Sequence, residues 1–223
     1  MLDLRPLSHG PRPPLIWLFK LRLTDDRLKN FIMDRPVYAF EYPGRRGLLK
    51  QKSVADIASR YLDQLLAVQT DGPYWLAGYS FGGTIAFEMA RQCRARGKTV
   101  ELLFMLDCLS PGTPYSEPRR VKRTAITMAR LALGLPVDRN MRWPYMWSIY
   151  GRALAAYWPT PFEGKVVYVK SKERPAEHVE KWQKLCLGGF EAHELPGNHE
   201  TVVNEDWLKI LKGAIKNVMR ENP

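Results

Sequence analysis

The most reactive constellation in this sequence is built around a serine set between glycines. Tyr74-Trp75-Leu76-Ala77-Gly78-Tyr79-Ser80-Phe81-Gly82-Gly83 contains Gly-x-Ser-x-Gly, between a segment that reads as a strand, Tyr74 to Tyr79, and one that reads as a helix, Gly82 to Arg96. A serine in that context occupies a turn too tight for bulky neighbours, a need that Gly78 and Gly82 meet. The turn pushes the Ser80 Oγ out at the carboxyl edge of a sheet. The Phe81 N–H, at the start of the helix, is placed to bind an oxyanion. The chemistry this predicts is nucleophilic attack on an acyl carbon; the bland alternative is an ordinary glycine-rich strand-to-helix turn.

A serine hydroxyl at neutral pH needs a base. The chain has four histidines. His9 lies in an irregular lead-in, His178 opens a charged helix and His193 sits inside the last strand. His199 lies in Leu195-Pro196-Gly197-Asn198-His199-Glu200, between the last strand and the last helix, where a hydrolase of this kind keeps its base. His199 is therefore the expected base and His193 the second choice. A histidine base predicts activity that rises through roughly pH 6–8.

The orienting acid is expected to be Asp107. It closes the apolar strand Leu103-Phe104-Met105-Leu106, where a carboxylate has little structural purpose, whereas alternatives such as Asp138 fall in an insertion. Serine, aspartate, histidine is then the order along the chain found in α/β-hydrolases. Asp107 would hold the His199 tautomer and stabilise the imidazolium.

The elements needed to position these groups are legible on both sides of them. Pro14 to Phe19 and Pro36 to Glu41 are short apolar runs suited to buried strands. Ser53 is a good N-cap with Asp56 three residues on, and Val54, Ile57, Ala58, Tyr61, Leu62 and Leu65 mark one apolar helix face. Thr99 to Leu106 reads as a parallel strand covered on both faces. Later come strands at Lys165 to Lys170 and Phe190 to Leu195, and helices near 176–187 and from Glu205 to Arg220. The expected fold class is α/β, an α/β-hydrolase fold with a mostly parallel central sheet flanked by helices. About 110–160 reads as a short helical cap, with helices near 119–133 and 141–157. Its aromatics (Trp143, Tyr145, Trp147, Tyr150, Tyr157, Trp158) either line an apolar channel or pack on the sheet.

Composition agrees with one domain over 1–223, with 1–13 as an irregular, linker-like lead-in. Of the 223 residues 45% are hydrophobic, enough for a sizeable core. No apolar run reaches the roughly 18 residues of a membrane span, and the lead-in lacks a signal-peptide core, so a soluble, cytoplasmic protein without membrane contact is expected. Cys93, Cys108 and Cys186 suit a reducing compartment and no zinc spacing, so neither metal nor cofactor is expected. The net charge of +11 fits nucleic acid, an acidic partner protein or a generally basic surface. Its densest cluster, Arg119, Arg120, Lys122 and Arg123, has no interleaved aromatics and belongs to no nucleic-acid module, which sets nucleic acid aside.

The chain resembles the thioesterase domains of nonribosomal peptide synthetases and polyketide synthases. The stretches that carry the resemblance are Gly78 through Ala90, the strand ending in Leu106-Asp107, Trp182 through Glu200, Pro36-Val37-Tyr38, Gly72-Pro73-Tyr74, and Leu4-Arg5-Pro6 through Leu15. Together they run over nearly the whole chain. The resemblance implies an acyl or peptidyl thioester on the phosphopantetheine arm of a carrier protein, and an acyl-enzyme on Ser80 released by hydrolysis or cyclisation. Carrier proteins are usually acidic, which makes Arg119, Arg120, Lys122 and Arg123 candidate docking residues. It also implies a glycine-rich loop after the first strand that completes the oxyanion hole. Here that strand runs into Lys20-Leu21-Arg22-Leu23-Thr24-Asp25-Asp26, which has no glycine. Either the N–H of Lys20 or Leu21 serves, or the hole is incomplete and the chain is an impaired, carrier-binding module. An esterase acting on small oxygen esters is the remaining alternative.

Overall fold

The structure, a computed structural model, describes residues 4–8, 12–18, 28, 35–40, 53–113, 126–127, 129–130, 132–136 and 149–221. Its strands are β1 (Leu4–Pro6), β2 (Leu15–Leu18), β3 (Val37–Phe40), β4 (Tyr74–Tyr79), β5 (Val100–Leu106), β6 (Val166–Ser171) and β7 (Phe190–Leu195). Its helices are α1 (Val54–Val68), α2 (Phe81–Ala95), α3 (Glu177–Leu185) and α4 (Asp206–Glu221). Residues 149–155 are also helical.

The strands form one sheet in the order β1-β3-β2-β4-β5-β6-β7. The six strands β2 to β7 run parallel, and β1 joins the edge antiparallel to β3. This is the α/β-hydrolase arrangement expected from the sequence. One segment differs: Leu4–Pro6 lies within the stretch read as an irregular lead-in, yet pairs with Phe40, Ala39 and Tyr38. Backbone pairing with an edge needs no alternating pattern, so three residues beside prolines carry no periodic signal.

The near-continuous apolar strands follow from layers on both faces. Along β5, Leu103 and Met105 belong to the core shared with α1 and α2, while Leu102, Phe104 and Leu106 face α4. β4 divides likewise, with Leu76 on the first side and Trp75 and Ala77 on the second. Trp17 and Trp207 meet at 5.2 Å and close the second layer. Helix α1 starts as its sequence dictates: the Asp56 N–H donates to the Ser53 Oγ at 3.1 Å, and the six apolar residues of the expected face are buried. All three cysteines are free and buried. Among the described residues no helix is long and apolar enough to cross a membrane.

The carboxyl ends of β4 and β5 lie side by side, paired Gly78 to Met105 and Tyr79 to Leu106. In a parallel sheet flanked by helices, that edge is where ligands bind.

Candidate active site

Ser80 and Asp107 each follow directly on one of these two strands. The Ser80 N–H donates to the Leu106 carbonyl at 2.8 Å and the Asp107 N–H to the Val169 carbonyl at 2.7 Å, so the ladder runs one step past each strand before the chain turns. The turns are sharp: φ is 55° at Ser80 and 50° at Asp107. Among the described residues these are the only non-glycine residues with positive φ. Such conformations cost on the order of 1–3 kcal/mol and persist where the surroundings enforce them, characteristically at functional sites.

At Ser80 the enforcement is steric. A Cβ at Gly78 would lie 2.5 Å from the Gly82 carbonyl carbon and oxygen, so strand and helix can approach this closely only without a side chain there. The Gly83 N–H donates to the Ser80 carbonyl at 3.1 Å and opens α2, with Phe81 as its first residue. Tyr150, from the end of the insertion, stacks on the Phe81 ring at 4.4 Å.

At Asp107 the enforcement is electrostatic. The side chain is fully buried. Its Oδ1 accepts from the Ser171 N–H at 2.7 Å, the Ser171 Oγ at 3.0 Å and the Arg174 Nε at 3.3 Å. Its Oδ2 accepts from Arg174 Nη2 at 2.7 Å and faces His199 Nδ1 at 2.6 Å. Burial alone would raise the carboxyl pKa, but the bonds from His199, Arg174 and Ser171 outweigh it and hold the group well below the ordinary carboxylate range. Asp107 is therefore an anion, and with a neutral ring it accepts from the Nδ1–H, which leaves Nε2 as the bare nitrogen.

His199 is fixed from two further directions. Its ring stacks on Tyr79 at 4.7 Å and 18°, and the Tyr79 hydroxyl donates to its carbonyl. Tyr79 immediately precedes Ser80, so the residue that leads into the elbow also carries the imidazole. The loop before it turns at Gly197, where φ is 97°. Asn198 Oδ1 then accepts from the N–H groups of Glu200 and Thr201 at 3.0 and 3.1 Å. A polar cavity of about 450 Å³ adjoins His199, lined by Ser171, Glu173, Arg174, Asn198, His199 and Glu200.

The residues expected as nucleophile, acid and base thus lie at the carboxyl edge of the sheet, where Asp107 pairs with His199 and His199 stacks on the residue before Ser80; the other two described histidines do not join that pair. His178 is buried, its Nδ1 facing the Ser110 N–H at 3.1 Å and Oγ at 2.9 Å; burial and the Arg174 charge lower its pKa. His193 pairs with Glu191 on its own strand at 2.6 Å. Of the cap aromatics, Tyr150 and Tyr157 are buried, and the Tyr157 hydroxyl donates to Glu88 of α2 at 2.7 Å, while Trp158 is 78% exposed. The expected oxyanion donor Lys20, the docking candidates Arg119, Arg120, Lys122 and Arg123, and His9, Asp138, Trp143, Tyr145 and Trp147 lie outside the described residues. Among the described residues no cluster of three or more His, Cys, Asp or Glu side chains could hold a metal ion.

Sequence reasoning missed Ser171, Arg174 and Tyr79. A signal existed for the first two: Ser171 ends β6, the strand beside the one that Asp107 directly follows, and Arg174 comes three residues later.

The thioesterase domain family matches residues 27–217 of the chain. A nonribosomal peptide synthetase of Aspergillus terreus, atqA, is 38% identical over 96% of the chain, and the non-reducing polyketide synthase PKS16 of Cladonia grayi is 28% identical over 78% of it. The chain spans 28% of the first of these relatives and 9% of the second. The NocB thioesterase domain, solved as a covalent complex with a fluorophosphonate nocardicin G analog, superposes with a TM-score of 0.73 at 24% identity, over 97% of this chain and 99% of that one. With six parallel strands, the elbow at Ser80 and a family match over most of its length, the chain belongs to the thioesterase domain family.

Proposed function

We propose that the chain is a serine thioesterase that releases an acyl or peptidyl chain from the phosphopantetheine thioester of a carrier protein. The observation that carries this is the His199–Asp107 pair at 2.6 Å, with the His199 ring stacked on Tyr79, the residue that leads directly into Ser80. The Ser80 Oγ attacks the thioester carbonyl while His199 Nε2 takes its proton. The oxyanion forms against the Phe81 N–H at the head of α2. Collapse breaks the carbon–sulfur bond, and His199 returns the proton to the departing thiolate. The acyl-serine is then attacked by water or by a nucleophile within the acyl chain, again with His199 as base. Asp107 keeps the imidazole oriented and stabilises its charged form.

The carrier-bound substrate rests on the family and on relatives that are synthetases and polyketide synthases. The +11 charge suits an acidic partner, with the cluster from Arg119 to Arg123 as the docking patch.

The test is incubation with an acyl-N-acetylcysteamine thioester, following free thiol and intact mass beside Ser80→Ala. Thiol release and an acyl adduct are expected, with turnover at least about 10³-fold lower in Ser80→Ala. Folded protein that gives neither thiol nor adduct overturns the enzymatic reading in favour of a carrier-binding module. Faster turnover of the matching oxygen ester identifies an esterase.

A further inference from the structure

Two groups of opposite character converge on one atom of His199. Asp107 Oδ2, an acceptor, lies 2.6 Å from Nδ1; Arg174 Nη2, a donor with a permanent positive charge, lies 2.8 Å from the same atom. The same Nη2 also holds the Asp107 carboxylate at 2.7 Å and its main-chain carbonyl at 3.0 Å. A serine–histidine–aspartate site needs only the carboxylate. An aspartate stabilises the imidazolium, and a guanidinium at this distance opposes it.

We infer that Arg174 is a positioning residue that sets the pH range in which the His199 base works, by offsetting the charge of Asp107 at the imidazole. This rests on His199 and Asp107 acting as base and acid, as proposed above. Arg174 is suited to it because it is anchored independently of the histidine: its side chain is 13% exposed, and its own carbonyl accepts from Lys170 Nζ at 3.2 Å. Asp107 in turn keeps two bonds from Ser171, so its place does not depend on Arg174 alone.

Among the described residues, the other charged and titratable groups near the ring are these. Tyr79 stacks on it, and Glu173 and Glu200 line the adjoining cavity. Lys170, behind Arg174, is paired with Glu194 at 2.5 Å. His178 bonds to Ser110. These groups are common to the parent and to any Arg174 variant, so they drop out of a comparison between the two.

The experiment is the pH dependence of kcat/KM on the same thioester for the parent, Arg174→Gln and Arg174→Lys, with thermal unfolding as the check on folding. Removing one charge from beside a partly exposed imidazole is expected to move the acid limb of the Arg174→Gln profile upward by about one pH unit. Arg174→Lys, which keeps the charge, should leave the limb near that of the parent. An unmoved limb in Arg174→Gln overturns the inference, and so does a downward shift, which would mean that Arg174 serves only to hold Asp107. Where Arg174→Gln does not fold, Arg174→Met is read in the same way. Failure of the catalytic reading itself looks different, since the parent then shows no Ser80-dependent turnover at any pH.

Discussion

The two halves of the site are held by different physics. Ser80 is placed by volume: Gly78 leaves no room for a Cβ against Gly82, and a backbone bond ties Ser80 to Leu106. Asp107 and His199 are placed by charge and hydrogen bonds, from Ser171, Arg174 and Tyr79. The first half is therefore brittle to size and indifferent to pH. The second tolerates changes of shape better than changes of charge. The division suits the proposed chemistry, in which the nucleophile must present one fixed atom while the base must gain and lose a proton without moving.

Asp107→Asn separates the halves most sharply. Loss of the carboxylate is expected to lower kcat by about 10³–10⁴ through the wrong His199 tautomer. It also leaves the Arg174 guanidinium without its anion, costing about 3 kcal/mol of stability at neutral pH. The pH dependence has a definite sign. Because the Asp107 pKa is held below the ordinary carboxylate value of about 4, its stabilisation is complete above that value and is lost as pH falls toward the lower native value. Urea midpoints of the parent should fall more steeply between about pH 5 and pH 2 than those of Asp107→Asn. Parallel curves would show that the cluster does not carry this charge energy.

Gly78→Ala probes the other half. The added methyl would meet Gly82 at 2.5 Å, backbone against backbone, where no side chain can move aside. A loss of about 3 kcal/mol is expected, the upper range for overpacking, with the deficit unchanged from pH 5 to pH 8. A variant as stable as the parent would mean that the elbow relaxes more readily than its packing suggests.

The same division explains what was legible in the sequence. Volume constraints leave a local mark: Gly78 and Gly82 flank Ser80 within three residues, and the apolar runs of β4 and β5 state their burial directly. Asp107 and His199 were legible because each interrupts a pattern, a carboxylate ending an apolar strand and a histidine after a Pro-Gly turn. Arg174 was not, because its partner is 67 positions away and its surroundings, Lys172-Glu173-Arg174-Pro175, read as a solvated turn. Charge pairing between loops leaves no periodicity. β1 was missed for a related reason, since three residues pairing along an edge obey no pattern of their own.

Tyr79→Phe sharpens the comparison by touching both halves at once. Tyr79 belongs to the elbow strand by its backbone and to the histidine loop by its ring and hydroxyl. Phenylalanine keeps the stack on His199 and removes the hydroxyl that donates to the His199 carbonyl. A neutral hydrogen bond of this kind contributes about 1 kcal/mol, so a fall of roughly 2- to 10-fold in kcat/KM is expected, with KM nearly unchanged. Tyr79→Ala removes the stack as well and should cost more than the hydroxyl alone. If Tyr79→Phe were as damaging as Tyr79→Ala, the hydroxyl rather than the stacked ring would be what holds the base beside the nucleophile. If both were silent, the bonds to Asp107 would suffice to place His199, and the join between the halves would lie wholly on the charged side.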